Sequence, residues 1–155
     1  MPVFMKPGNE TDVQRRAAAF RAARDARETE IAEDYVELIG DLIAELGEAR
    51  LTDIAERMGV AHPTASKVVQ RLQRDGLVQS RPYRALFLTE TGQQVANRSR
   101  ERHQVVQDFL CALGVSQRTA EIDSEGMEHH CSEETLAVFA RMTERLNRER
   151  DSSAR

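Results

Sequence analysis

The chain is short of the features that stapled, secreted or membrane-bound proteins need. Of its 155 residues two are cysteine, four are proline and none is tryptophan. Cys111 and Cys131 make neither a disulfide framework nor a CxxC zinc or redox pair. No run of about 18 apolar residues occurs, which excludes a membrane-spanning helix. No basic segment followed by an apolar stretch opens the chain, so no secretory signal is expected. The expectation left is a reduced, cytoplasmic, helix-rich chain of one ordinary domain, or two small ones sharing a core.

Charge is unevenly spread. The formal charge is −4, from 22 Lys and Arg against 26 Asp and Glu. Between His62 and Leu88, however, Lys67, Arg71, Arg74, Arg81 and Arg84 face a single acid, Asp75. A basic stripe in an acidic chain either meets a polyanion or is an ordinary solvated face. Charge by itself leaves both open.

Pattern divides the chain further. Residues 1–12 hold Pro2, Pro7, Gly8 and Asn9 with no apolar period, and are expected to be disordered. Val13–Arg27 is rich in Ala and Arg, a good helix former with a thin apolar face. A stronger helix is predicted on Ile31, Tyr35, Leu38, Leu42 and Leu46, ending at Gly47. Leu51–Met58 reads as a short helix behind Thr52, with Gly59 as the turn. A second helix runs from His62 to Asp75, with Ala65, Val68, Val69 and Leu72 inward and Gly76 as its stop. Leu77–Ser80 and Ala85–Thr89 read as strands around the tip Arg81-Pro82-Tyr83-Arg84.

That order is a winged helix-turn-helix. Ala61 stands where a capping Ser or Thr is expected, a weak start for the second helix. Further helices are predicted from Val95 to Gly114, over Thr119–His130 and from Glu133 to about Arg148, the last capped by Ser132. The fold class is mainly α: a winged helix-turn-helix with a two-stranded wing, then an all-helical dimerisation domain. The expected divisions are an N-terminal extension over 1–28, partly disordered or helical, a DNA-binding domain over 29–90, a metal-binding and dimerisation domain over 91–150, and a tail over 151–155.

In a helix-turn-helix the second helix presents its N-terminal residues to base edges in the major groove. Here those are His62, Pro63, Thr64, Ser66, Lys67, Gln70 and Arg71. Thr, Ser and Gln read base edges, while Lys and Arg also neutralise phosphates. The wing tip adds Arg81, Tyr83 and Arg84 for sugar-phosphate or minor-groove contact. The bland alternative is a helical hairpin with a polar outer face, but order, spacing and local charge coincide.

A second constellation lies in "EGMEHH". On a regular helix Glu125, Glu128 and His129 share one face, and His130 turns about 100° away. Gly126 weakens that helix, which is easier to accept where backbone approaches something closely. His103 leans inward on the preceding helix, and Asp34 and Glu37 stand three apart beside the Ile31–Leu46 stripe. Acidic pairs are usually solvated and a lone inward His is usually a core residue. Together, though, the four carboxylates and two imidazoles form a ligand set with no thiolate. Such a set suits Mn²⁺, Fe²⁺ or Co²⁺ better than a structural tetrahedral zinc site.

At these residues the chain resembles the manganese transport regulator branch of the diphtheria-toxin-repressor family. The matching blocks are "EDYVELI" (Glu33–Ile39), "TDIAERMGVAHPTASKVVQRLQRDGLV" (Thr52–Val78), "RERHQVVQDFL" (Arg100–Leu110) and "EGMEHH" (Glu125–His130), within a likeness running from Thr29 to Leu146. The resemblance implies that Asp34, Glu37, His103, Glu125, Glu128 and His129 form a two-metal regulatory site. In the iron-responsive branch a Met stands at the position of Asp34 and a Cys at that of Glu125. Two carboxylates here imply Mn²⁺, about two per subunit, with Fe²⁺ or Co²⁺ as substitutes. The extension before Thr29 is absent from the shortest family members. The chain's end near Arg155 leaves no room for the SH3-like third domain of the iron-responsive type.

The resemblance further implies a homodimer whose metal-loaded form binds palindromic operators in double-stranded DNA and represses manganese-uptake genes. A metal held by both halves would favour one spacing of the paired recognition helices. No enzyme is expected: there is no HExxH, no Gly-rich phosphate loop and no nucleophile constellation, and Glu101 stands two residues from His103 where a di-metal oxidase wants Glu-x-x-His. Nor is a membrane partner or small organic substrate expected. The alternatives are an iron- or other divalent-metal-responsive repressor of the same family, or a winged-helix regulator sensing an organic ligand or the oxidation of Cys131.

Overall fold

A computed structural model describes residues 11–153. Most of the segment expected to be disordered lies outside them. Thr11 and Asp12 do not: they start helix α1 (Asp12–Leu46). The Thr11 hydroxyl accepts from the Gln14 amide and the Gln14 side chain accepts from the Thr11 amide, at 3.3 and 2.9 Å. This reciprocal cap sets the start, and Gly47 at φ 83° ends the helix. The two helices expected on either side of residue 28 are therefore one. The Ala/Arg segment has propensity enough to continue the helix without a buried face.

Helix α2 (Leu51–Met58) is entered through Arg50, which makes no side-chain cap, and Thr52 lies inside the helix rather than before it. Gly59, at φ 66°, turns the chain into α3 (His62–Arg74). Ala61 does precede α3 without a side-chain cap, and Pro63 in the first turn partly compensates because its missing N–H has no helical partner there. Strands β1 (Val78–Arg81) and β2 (Ala85–Leu88) pair antiparallel, Val78 opposite Leu88 and Arg81 opposite Ala85. The tip is a 3₁₀ turn over Pro82–Arg84, with Tyr83 in the left-handed region at φ 67°.

Helix α4 (Glu90–Ala112) starts on the Thr89 cap. Helix α5 (Gln117–Met127) is shorter than expected, because Glu128–His130 tightens into a 3₁₀ turn. Helix α6 runs from Glu133 to Ser153, so residues 151–153 of the expected tail are helical. Ser132 caps it by accepting from the Thr135 amide at 3.2 Å.

The main core gathers Val36, Ile39 and Leu42 of α1, Ile54 of α2, Leu72 of α3 and Leu86 of β2. Val106, Ala120 and Leu136 are buried in the helical half, where Phe109 stacks on Phe139 with centroids 4.1 Å apart. Helix α1 serves both halves. Its C-terminal stretch supplies the helix-turn-helix core, and its middle packs against α4 and the 3₁₀ turn. Among the described residues no helix is long and apolar enough to cross a membrane.

Candidate metal centre

The 3₁₀ turn over Glu128–His130 is held by Arg102 of α4. That guanidinium donates to the Glu128 and Cys131 carbonyls, each at 2.8 Å, and to Glu133 at 3.1 Å. The turn drives Glu128 and His129 inward: their side chains are 2% and 1% exposed, against 51% for His130. His130 does point away, meeting Glu30 at 3.5 Å.

Glu128 sits between two imidazoles. Its Oε2 is 3.0 Å from His103 Nδ1, and its Oε1 is 3.3 Å from His129 Nε2. His129 Nε2 also faces Asp34 Oδ1 at 3.2 Å, while Glu125 approaches His103 Nδ1 at 3.6 Å from an exposed position. Five of the six candidate ligands thus form one chain of contacts across α1, α4, α5 and the turn. Glu37 is half-buried and joins them less directly. Burial raises its carboxyl, the Ser99 hydroxyl and Arg100 guanidinium lower it, and the Glu125 and Asp34 charges raise it again.

The imidazole nitrogens are sorted by their other partners. Ser124 donates its hydroxyl to the Glu121 carbonyl, so at 3.3 Å it accepts from His103 Nε2. Nδ1 is then the nitrogen of His103 with a lone pair for the cluster. For His129 the roles reverse: Nδ1 lies 2.6 Å from Glu33 Oε2, leaving Nε2 to face Asp34 and Glu128.

The donor atoms form two overlapping groups, His103 with Glu125 and Glu128, and Glu30 with Asp34 and His129. Glu128 Oε2 is buried without a hydrogen bond, a costly state for a carboxylate. Burial drives the Glu128 carboxyl up to about 8, although the neighbouring His129 charge lowers it. Burial alone would lower His129, but its bonds to Asp34 and Glu33, with the Asp34 and Glu128 charges, hold it at about 10. A divalent cation fits this pocket: it would satisfy the orphaned oxygen and replace the proton on Nε2.

A pH dependence follows. Below pH 8 both Glu128 and His129 carry a proton that a cation must displace, so apparent Mn²⁺ affinity should rise with pH. A slope of about two log units per pH unit is expected between pH 6.5 and 7.5, measured from the free-Mn²⁺ electron paramagnetic resonance signal. For the metal-free protein the sign is opposite. Both folded values exceed the ordinary ones, so the stability these groups contribute is lost from pH 4.5 to about 8 for Glu128 and from 6.5 to about 10 for His129. A flat affinity profile would mean that the cation does not replace these protons.

Sequence reasoning missed Glu33, Glu30 and Arg102. "EDY" shows Glu33 beside Asp34, but nothing local marks its partner His129. Gly126 needs a different account from the one expected, since a Cβ there would meet nothing within 4 Å.

The expected DNA-reading residues fall into three groups. His62, Pro63, Thr64, Lys67 and Gln70 are exposed on α3, and His62, Ser66 and Gln70 line a cleft whose other wall includes Arg81 and Tyr83 of the wing. Arg81 stacks on Phe87 at 4.2 Å, and Gln73 ties α3 to β1 by donating to Ser80 at 2.6 Å. Arg71 turns toward α1, donating to the Glu28 carbonyl at 3.0 Å with the Glu28 and Asp75 carboxylates at 3.7 and 3.9 Å. The side chain of Arg84 lies outside the described residues.

Residues 28–86 match the iron dependent repressor N-terminal DNA binding domain, and residues 89–152 match the metal binding and dimerisation domain of the same family. The transcriptional regulator MntR of Escherichia coli O6:H1 is 48% identical over 144 residues, 93% of each chain. The HTH-type transcriptional regulator MntR of Geobacillus kaustophilus is 42% identical over 100 residues, 64% of this chain and 71% of that one. A manganese-dependent transcriptional repressor solved with manganese superposes with a TM-score of 0.62 at 28% identity, covering 72% of this chain and 52% of its own. The present chain therefore spans about half the length of that structure. With both domain matches in chain order and a relative alike over almost its full length, the chain belongs to the MntR branch of the iron dependent repressor family of DNA-binding transcriptional regulators.

Proposed function

We propose that the protein is a manganese-responsive repressor, a homodimer that binds a palindromic operator when Asp34, Glu37, His103, Glu125, Glu128 and His129 hold Mn²⁺, about two ions per subunit. The observation that carries this reading is Glu128, a buried carboxylate with an orphaned oxygen, between imidazoles from two segments and within reach of α1 through His129. The donors are carboxylate oxygens and imidazole nitrogens without thiolate, which suits a hard ion. When bound, the cation supplies the positive charge that this cluster otherwise takes from protons. The chain's own residues do the coupling: Asp34 and Glu37 ride on α1, while Arg102 fixes Glu128 and His129 to α4.

Base contacts are assigned to Thr64, Ser66 and Gln70, with His62 and Pro63 beside them at the start of α3. Lys67, Arg81, Tyr83 and Arg84 are assigned to the backbone. Arg71 is assigned chiefly to holding α1 against α3.

The test begins with short duplexes selected from a random pool by the Mn²⁺-loaded protein. Metal-free protein is then titrated with Mn²⁺, Fe²⁺, Co²⁺ and Zn²⁺ under anaerobic reducing conditions, following binding to the selected duplex. Metal-dependent binding with Mn²⁺ as an effective activator is expected. Equal binding in the presence of a chelator would overturn the reading.

Glu33 acts in this scheme as a positioning residue, fixing His129 so that Nε2 is the free donor. Outer-sphere partners of this kind are worth about 10–100-fold in metal affinity. Glu33→Ala should lose that much Mn²⁺ affinity. Glu33→Gln, which still accepts from Nδ1, should recover most of it. Unchanged affinity in Glu33→Ala would remove the role.

A further inference from the structure

None of the residues in the first four turns of α1 is buried. Asp12–Arg27 is helical, with every Arg in it exposed, and Val13 and Phe20 are 77% and 68% exposed. Such a helix is marginal in water by itself. Its charge is distinctive. Arg15, Arg16, Arg21, Arg24 and Arg27 stand against Asp12 and Asp25, a net +3, and His62–Leu88 carries +4, so the rest of a chain of net −4 carries −11. Arg15 pairs with Asp12. Arg16, Arg21, Arg24 and Arg27 make no ion pair among the described residues, and helix geometry places them within about 140° of one another around the axis.

The two basic segments meet in space. Arg71 of α3 donates to the Glu28 carbonyl at 3.0 Å, one residue beyond Arg27. The basic face is thus rooted at the flank of the helix that carries the DNA-reading residues. Only Val13 and Phe20 supply large apolar contact on it, too little for insertion into a lipid surface.

We infer that residues 12–27 form a phosphate-binding arm, in which Arg16, Arg21, Arg24 and Arg27 contact the duplex backbone flanking the bases read by α3. Contacts to phosphate carry no sequence information, so an arm that makes only these adds affinity without sequence preference. It is one unbroken helix with Asp34 and Glu37, so whatever fixes those residues fixes its direction too. The inference rests on α3 being the DNA-reading helix.

The probe is a 40-base-pair mixed-sequence duplex, with binding measured against salt concentration at saturating Mn²⁺. Each phosphate contact contributes about 0.9 to the slope of log K against log salt. In the variant Arg16→Gln/Arg21→Gln/Arg24→Gln/Arg27→Gln the slope should fall by about 3.6 per protomer, with Mn²⁺ affinity unchanged. Gln keeps helix propensity, and circular dichroism checks that the helix persists. The corresponding four Arg→Lys changes should retain the slope. An unchanged slope in the Gln variant overturns the inference, and a shift in its oligomeric state with the slope unchanged would assign the arm to a second copy instead. Lys67→Gln separates the two readings: loss of slope there but not in the arm variant rejects the arm alone, whereas loss in neither rejects α3 as the DNA-reading helix.

Discussion

His129→Ala should abolish metal-stimulated DNA binding, with Mn²⁺ affinity falling by at least about 100-fold, beyond what an outer-sphere partner supplies. His130→Ala should stay within about threefold of the unaltered protein. The two residues are adjacent, yet His129 has a side chain 1% exposed with Nε2 at 3.2 Å from Asp34, while His130 is 51% exposed and meets Glu30 at 3.5 Å. Removing His129 leaves Glu33, Asp34 and Glu128 without their shared cation, so the variant should also be less stable at neutral pH before any metal is added. Mn²⁺ titration and thermal melts of both variants measure the two effects separately. Equal losses would mean that the 3₁₀ turn does not sort the two histidines in solution.

Gly92→Ala should be the most disruptive glycine-to-alanine change among the described residues. A Cβ at Gly92 would lie 2.0 Å from the Leu77 carbonyl oxygen and 2.9 Å from its carbon. These are backbone atoms at the entry to the wing, and that oxygen already accepts from the Thr89 amide at 3.0 Å. Thr89 in turn donates its hydroxyl to the Gly76 carbonyl at 2.6 Å. No flexible side chain can give way, so α4 must shift against the wing, at a cost of about 3 kcal/mol or more. That corresponds to roughly 10 °C in Tm. Gly126→Ala is the contrast: the site is open, and helix propensity predicts a gain of up to about 1 kcal/mol. A Gly92→Ala protein melting with the unaltered one would show that the close approach is absent in solution.

The helix-turn-helix was legible because its signals are local. Gly59 and Gly76 punctuate it, and Ala65, Val69 and Leu72 repeat at helical spacing. The candidate ligands were legible in part for the same reason, since Glu125, Glu128 and His129 fall three and four apart. What escaped depends on contacts distant in sequence. The Glu33–His129 bond joins residues 96 apart, and Arg102 reaches the Glu128 carbonyl across 26. Arg71 looks like a phosphate contact from composition, but its surroundings are set by where α1 comes to lie. Glu128–His130 reads as a continued α-helix from sequence, because a 3₁₀ turn commonly closes an α-helix without a break in the pattern. The Ala/Arg segment reads apart from the helix that follows because its apolar face is thin, yet the helix runs on where burial ends.

The unbroken α1 also has a mechanical consequence. From Asp34 to Asp12 it runs about 33 Å at 1.5 Å per residue. A rotation of roughly 5° about the candidate ligands would carry the far end about 3 Å, the length of a hydrogen bond. The helix is thus a lever with its fulcrum at the acidic cluster. Adjustments too small to break any one contact at the fulcrum are large enough at the tip to make or lose one.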